Sequence, residues 1–134
     1  MKAKPADLSL LGASKTILPA GPDQAVLESF PNPKPGRPYW ISLDCPEFTA
    51  LCPITGQPDF GHLTIAYIPN RRCVESKALK LYLGSFRNHG AFHEAVTNRI
   101  LDDLVRAIRP RQARVTGVFN RRGGIAITVV AEYP

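Results

Sequence analysis

The chain has 134 residues, and 17 Lys and Arg against 11 Asp and Glu give it a formal net charge of +6. This length suits one domain, and a composition of 44% hydrophobic and 21% charged residues excludes a largely disordered chain. No apolar stretch approaches the roughly 18 residues of a membrane span, and MKAKPADLSLLGASK lacks the apolar core of a secretory signal. We therefore predict a cytoplasmic protein. Its excess positive charge indicates either a surface that binds nucleic acid or a site for an anionic small molecule.

Prolines are concentrated at the start of the chain, where six of the 13 precede Gly36. Proline fixes φ and lacks a backbone N–H, so such a segment is poorly suited to a packed helix or sheet. We predict an extended, proline-rich N-terminal arm over residues 1–37 and a single catalytic domain over residues 38–134.

Two strands are predicted at the start of that domain. Residues 39–44 form a short apolar run, and residues 60–68 alternate apolar and polar side chains, as a half-buried strand does. The segment between them, CPEFTALCPITGQPD, is predicted to be a loop.

Helical spacing of apolar residues follows, and it predicts two helices. Ser76 is the predicted N-cap of the first helix, which should end at residues 88–90, where Asn and Gly occur. The second helix should end at Pro110. The residues assigned to buried faces are Leu79, Tyr82, Leu83 and Phe86 in the first helix and Phe92, Val96, Ile100 and Leu104 in the second.

The remainder is predicted to be a β-hairpin, with alternation over residues 115–119 and 125–129 and a turn at residues 120–124. The order is then ββααββ, which predicts an α+β fold: an antiparallel four-stranded sheet with two helices on one face. An open sheet has two unpaired edges, so we expect self-association.

Cys52 is the strongest candidate for chemistry. A thiol is among the better side-chain nucleophiles, and Asp59 follows across the turn-forming segment ITGQP, so a carboxylic acid could protonate the product of thiol addition. The alternative is that Cys52 is a buried small apolar residue, as most free cysteines are.

Two further motifs have both a functional and a structural interpretation. His93 and Glu94 open the second helix, where the carboxylate could accept N–H donors from a heterocycle or simply suit the helix end. The sequence Arg121-Arg122-Gly123-Gly124 could bind a phosphate or simply form a hairpin turn.

The strings ESKALKLYLGSFRNHGAFHE and CPEFTALCPITGQPDF closely resemble the NADPH-dependent 7-cyano-7-deazaguanine reductases, the QueF family of the queuosine pathway, in its short single-module form. The resemblance implies a tunnelling fold that oligomerises into a barrel, commonly a decamer of two pentameric rings. It also implies reduction of the nitrile of 7-cyano-7-deazaguanine to the amine of 7-aminomethyl-7-deazaguanine, with two NADPH consumed, and no direct contact with nucleic acid or membrane.

The same resemblance implies roles for individual residues. Cys52 matches the nucleophile that forms a covalent thioimide, and Asp59 matches the proton donor. Glu94 matches the carboxylate that accepts hydrogen bonds from the 2-amino and ring N–H groups. Independently of the resemblance, Cys45 at a strand end and Cys73 with no acid or His beside it are predicted to be structural. The full substrate-binding set is Val74, Glu75, Ser76, His93 and Glu94, and the NADPH-binding set is Ser76, Lys77, Arg122 and Gly123, with Lys77, Arg121 and Arg122 as phosphate ligands.

Two alternatives remain open. A zinc enzyme similar to the GTP cyclohydrolase I group needs Cys and His ligands, but His62, His89 and His93 form no convincing set with the cysteines, and we expect no metal. A small basic RNA-binding module would use the arginines of residues 106–114, but it needs exposed aromatic side chains, and Phe86, Phe92 and Phe119 are assigned to buried faces.

Overall fold

The computed structural model describes Leu8 and residues 18–134. None of the described helices has the length and apolar character needed to cross a membrane. The strands are β1 (Ser29–Pro31), β2 (Ile41–Leu51), β3 (Pro58–Ile68), β4 (Arg72–Val74), β5 (Gln112–Arg122) and β6 (Ile125–Tyr133), and the helices are α1 (Ser76–Gly84) and α2 (His93–Ile108), with 3₁₀ turns at Pro22–Gln24 and Ser85–Asn88.

The main sheet has the strand order β2-β3-β5-β6, and every neighbouring pair is antiparallel. Both helices share one hydrophobic core with this sheet. The predicted α+β fold with a four-stranded antiparallel sheet and two helices is therefore confirmed. β2 and β6 are the outer strands.

The core lies on one face of the sheet because side chains alternate along each strand. In β3 the buried positions are every second residue, including Leu63, Ile65 and Tyr67. From α2, Val96, Ile100 and Leu104 complete this layer at the expected helical spacing. Asp59 and Gly61 begin the same buried row of β3 and so face the helices as well.

β2 is longer than predicted and extends to Leu51 through a register shift between Cys45 and Phe48. Such a bulge lets Pro46 lie within the strand without a ladder hydrogen bond, which the loop prediction did not anticipate. The prediction of a loop over residues 45–59 is therefore wrong in its bounds, because only residues 52–57 lie outside the two strands.

The prediction that the proline-rich arm lacks packed elements is wrong for its later part. Ser29, Phe30 and Pro31 pair with Val74, Cys73 and Arg72 in a two-stranded antiparallel sheet. Asn32 next to it is buried and donates to the carbonyl of Asn70 at 2.8 Å. The arm predicted over residues 1–7 and 9–17 lies outside the described residues, and the division at residue 38 stays a prediction.

Two predictions at helix starts are corrected. Glu75, rather than Ser76, caps α1, because its carboxylate accepts from the N–H groups of Lys77 and Ala78 at 2.8 and 3.0 Å. Phe92 is 56% exposed, because it precedes α2 in an extended conformation and its side chain leaves the buried ladder. The first helix gives way to a 3₁₀ turn at Ser85–Asn88 and ends near the predicted position.

Candidate active site

The loop between β2 and β3 presents Cys52 beside Asp59. The Cys52 N–H donates to the Gln57 carbonyl at 2.8 Å, and the Gly56 N–H donates to the Cys52 carbonyl at 2.9 Å, which closes a tight turn. In the ladder below it, Ala50 pairs with Asp59. The Asp59 carboxylate lies close enough to Cys52 for its charge to act on the thiol.

A backbone bridge brings the start of α2 to this loop. The Leu51 N–H donates to the His89 carbonyl at 3.0 Å, and the Ala91 N–H donates to the Leu51 carbonyl at 3.1 Å. The residue after Leu51 is Cys52, and α2 begins at His93, two residues after Ala91. The bridge therefore places His93 and Glu94 at the Cys52 loop.

Asp59 is the centre of this cluster. Its side chain is only 7% exposed, and Arg122 Nη2 lies 2.8 Å from Oδ1 while His93 Nε2 lies 3.5 Å from Oδ2. Arg122 also donates to the Pro58 carbonyl at 2.6 Å. A buried carboxylate with a cationic partner and an imidazole is a group prepared for proton transfer.

Cys52 has the electrostatic surroundings of a reactive thiol. A hydrogen bond from the Thr55 hydroxyl, supported by the backbone N–H groups of Thr55 and Ile54, lowers the pKa of the Cys52 thiol. Partial burial and the nearby Asp59 carboxylate oppose this lowering without cancelling it. Because the thiolate is the nucleophile, a lowered pKa increases the reactive fraction at neutral pH.

Glu94 and Phe92 flank His93 and point to the surface. Glu94 is exposed, so its carboxylate is accessible to a ligand. Phe92 also offers an exposed aromatic ring, a platform that the sequence interpretation had assigned to the core. The sequence signal for this exposure was the position of Phe92 directly before the His-Glu pair, where the residue caps the helix instead of lying in it.

The hairpin after β5 lies next to Asp59. Gly123 and Gly124 have positive φ values of 58° and 81°, so the chain turns there in conformations that favour glycine. Arg121, Arg122 and Gly123 are all exposed, and the Arg122 guanidinium also reaches back to Asp59. Cys52, Asp59, His93 and Arg122 thus form one group, which we call the thiol cluster, and Glu94 and Gly123 are the sequence neighbours of His93 and Arg122.

The remaining predicted site residues lie at the other end of the sheet. The Val74 N–H donates to the Tyr67 hydroxyl at 3.0 Å. Tyr67 follows Asp59 by eight residues of β3, or about 26 Å at the usual rise per strand residue. Val74, Glu75, Ser76 and Lys77, the cap cluster, are therefore not brought to Cys52 within one chain.

The cap cluster borders an open groove between β2 and α1 of about 420 Å³. Ser76 and Lys80 line it on the helix side, and Cys45 lines it on the strand side. Since β2 is an outer strand of the sheet, this groove lies at the sheet edge.

The other cysteines do not join either cluster's chemistry. Cys45 is half-buried in β2, and burial raises the pKa of its thiol. Cys73 is buried in β4, with its sulfur 3.8 Å from the Tyr39 hydroxyl. Across Leu8 and residues 18–134, no three Cys, His, Asp or Glu side chains are grouped to hold a metal ion.

Several arginines of the predicted RNA-binding run have protein partners. Arg106 pairs with Asp103 at 3.1 Å, and Arg114 pairs with Glu132 at 2.7 Å. Arg111 donates to the Pro35 carbonyl at 2.7 Å. Carboxylates therefore pair with two of the four arginines of this run, whereas the Pro35 carbonyl leaves the positive charge of Arg111 uncompensated.

The chain is similar to several known proteins. A family model described as QueF-like protein matches residues 58–134. NADPH-dependent 7-cyano-7-deazaguanine reductases are 62% identical over 107 residues in Anaeromyxobacter sp. (strain K), covering 80% of this chain and 88% of the relative, and 60% identical over 116 residues in Thiobacillus denitrificans, covering 87% and 83%. The crystal structure of the archaeosine synthase QueF-Like in the apo form matches with a TM-score of 0.67 at 25% identity, covering 72% of this chain and 94% of that chain.

Proposed function

This chain belongs to the family of NADPH-dependent 7-cyano-7-deazaguanine reductases, and on that premise we propose that it reduces the nitrile of 7-cyano-7-deazaguanine to a primary amine for queuosine biosynthesis. The observation that carries the proposal is the thiol cluster: an activated Cys52 beside a buried carboxylate that both Arg122 and His93 contact. That combination suits addition to an electrophilic carbon followed by proton transfer.

Cys52 performs the covalent step. Its thiolate adds to the nitrile carbon and the nitrile nitrogen takes up one proton, which gives a thioimide with no change in oxidation state. Covalent attachment divides one difficult reduction into easier steps. Two hydrides and two further protons convert the attached carbon and nitrogen into the amine and release Cys52, so that four electrons are balanced.

Asp59 is the proposed proton donor to the nitrogen. Its burial keeps the carboxylate out of bulk water, and Arg122 holds Oδ1, so Oδ2 faces His93 and the open side of the cluster. His93 is placed to pass a proton between Asp59 and the reacting group.

Glu94 and Phe92 are the proposed recognition groups. An exposed carboxylate accepts two parallel N–H donors, such as the 2-amino and ring N–H of a deazaguanine. The exposed ring of Phe92 offers a flat apolar surface on which a heterocycle stacks.

NADPH supplies the hydrides, and the residues beside Asp59 suit a phosphate-bearing cofactor. Arg121 is an exposed cation, and the turn at Gly123 leaves its backbone amide accessible. Ser76 and Lys77 remain proposed NADPH ligands in the cap cluster. Because Arg122 already contacts Asp59, its proposed phosphate contact requires the guanidinium to bind the Asp59 carboxylate and a cofactor phosphate together.

We further propose that each site combines the thiol cluster of one chain with the cap cluster of a neighbour. The two clusters lie at opposite ends of β3, and the outer strands β2 and β6 are open to pairing between chains. Repeated edge pairing closes a sheet into a ring, which supports the barrel and the decamer of two pentameric rings. The substrate contacts of Val74, Glu75 and Ser76 depend on this arrangement.

The test is to mix the protein with 7-cyano-7-deazaguanine and NADPH. We expect a covalent adduct by intact mass spectrometry when NADPH is omitted, and oxidation of two NADPH per nitrile when it is present. Cys52→Ala should lose both, whereas Cys45→Ala, which removes a half-buried thiol outside the cluster, should keep both. An adduct that persists in Cys52→Ala would overturn the proposed attack by the Cys52 thiolate.

A further inference from the structure

His93 and Phe119 form a parallel ring stack beside the carboxylate. Their ring centroids lie 4.0 Å apart, and the planes differ by 4°. Phe119 comes from β5 and is only 2% exposed, whereas His93 is the first residue of α2. One face of the imidazole is thus covered by a buried ring while its Nε2 edge lies 3.5 Å from Asp59.

Two glycines create the space in which the Phe119 ring lies. Gly61 pairs with Phe119 across the β3–β5 ladder, and Gly117 precedes it by two residues on the same face. A Cβ at Gly61 would lie 2.7 Å from Phe119 Cδ1, and one at Gly117 would lie 2.8 Å from Cε2. Both distances are shorter than real Cβ contacts, so the ring occupies the space that side chains at these positions would fill.

The main chain of His93 is also fixed. The buried Thr97 hydroxyl donates to the His93 carbonyl at 2.8 Å. With its backbone held in the first helical turn, the remaining freedom of His93 is rotation of its side chain. The Phe119 ring restricts that rotation, because a tilted imidazole would lose the stack or collide with it.

We propose that Phe119 is a positioning residue that fixes the plane of the His93 imidazole and thereby keeps Nε2 directed at Asp59. This inference rests on the proposed function, because the orientation of His93 matters to catalysis only if the cluster moves protons to the nitrile. Phe119 contacts no reacting atom and acts through His93 alone.

The kinetic test compares Phe119→Leu with Phe48→Leu. Phe48 is a buried core residue that packs against Phe86 and is absent from the His93 stack, so its variant controls for a lost aromatic ring. We expect Phe119→Leu to lower kcat about tenfold while KM for the nitrile stays within about twofold. Phe48→Leu should keep kcat, and an equal fall in both variants would overturn the proposal.

A double-mutant cycle separates positioning from other effects. In a His93→Gln background, Phe119→Leu should cause no further loss of kcat, because the group it positions is absent. A full additional tenfold loss in that background would show that Phe119 acts through another residue and would overturn the proposal.

A measurement without substrate keeps the proposal distinct from the proposed function. Ring current from Phe119 should shift the imidazole C–H proton resonances of His93 upfield, and these resonances are assigned by their absence in His93→Gln. They should move downfield in Phe119→Leu and stay in place in Phe48→Leu. If the wild-type protein oxidises no NADPH with the nitrile, the proposed function fails, and unchanged His93 resonances in Phe119→Leu overturn the positioning role.

Discussion

Arg122 Nη2 lies 2.8 Å from Asp59 Oδ1, so a residue at the end of β5 holds the carboxylate that opens β3. The two residues are 63 positions apart in sequence, and the local sequence around either residue does not predict the contact. The contact makes Arg122 a partner of the proposed proton donor, in addition to its proposed role at the cofactor. It also fixes which Asp59 oxygen remains for His93.

Asp59→Asn should leave substrate binding largely intact and lower kcat by about 100-fold or more. Asparagine keeps the shape of the side chain and still accepts from Arg122 through its amide oxygen, but it cannot donate a carboxylic proton. Steady-state kinetics with the nitrile measures the division between kcat and KM. A large rise in KM with unchanged kcat would contradict the role of Asp59 as proton donor.

Thr55→Val should shift the reactivity of Cys52 to higher pH. The Thr55 hydroxyl stabilises the thiolate and lowers the pKa of Cys52, so removing it raises that pKa and decreases the thiolate fraction at neutral pH. The rate of alkylation by iodoacetamide, followed against pH by mass spectrometry at Cys52, should show a midpoint at higher pH than in the wild type. At pH values above both midpoints the two rates should converge.

The control for that experiment is Thr49→Val. The Thr49 hydroxyl is oriented toward the Glu47 carbonyl at 3.4 Å and has no part in the Cys52 turn. Its variant should alkylate with the wild-type midpoint. If Thr55→Val also had the wild-type midpoint, the Thr55 hydroxyl would not lower the pKa of Cys52.

Mixed oligomers test whether sites are shared between chains. Cys52→Ala and Glu75→Ala should each be inactive, since one lacks the nucleophile and the other lacks a proposed substrate contact and the carboxylate that caps α1. Co-expressed with different affinity tags and purified through both, they should recover about a quarter of wild-type activity, because a site works only where intact clusters of two neighbours meet.

Cys52→Ala mixed with Asp59→Asn is the matched control. Both changes lie in the thiol cluster of one chain, so every site in that mixture contains a defective cluster. This mixture should recover no activity. Recovery in the control, or none in the Glu75 mixture, would contradict a site built from two chains.

Gly117→Ala should destabilise the fold by about 1–3 kcal/mol, because its Cβ would press on Phe119 and on the Thr97 hydroxyl. Gly36→Ala is the control, since a Cβ there meets nothing within 4 Å. Urea denaturation at one fixed protein concentration measures both. Equal stabilities of the two variants would show that the Phe119 ring relaxes without cost.

The sheet and helices were predictable because their signals are local. Alternation over residues 60–68 and the helical spacing of Val96, Ile100 and Leu104 reflect burial on one face, and the structure confirms both. The pairing of β1 with β4 was missed, since it joins segments 43 residues apart and one of them contains prolines. Long-range pairing leaves no local periodicity to detect.

The site was predictable in its residue types but not in its assembly. The sequence and the family resemblance predict Cys52 as nucleophile and Asp59 as proton donor, and the structure brings the two residues close together. The separation of the cap cluster from Cys52 could not be predicted, because it depends on α1 running back along the sheet. The stacking of Phe119 on His93 could not be predicted either, because it depends on how α2 packs against β5. Gly61 and Gly117 were the available sequence signal, since they leave space for the Phe119 ring.

The bridge between Leu51 and the segment before α2 has a consequence for how this site tolerates change. Its two hydrogen bonds join main-chain atoms only, so no side chain at positions 51, 89 or 91 takes part in them, although Ala91 and His89 also pack on the core. Proline is excluded at positions 51 and 91, because each must supply an N–H. The relative placement of Cys52 and His93 is therefore set by the path of the backbone, and a substitution here alters the candidate site only if it moves that path.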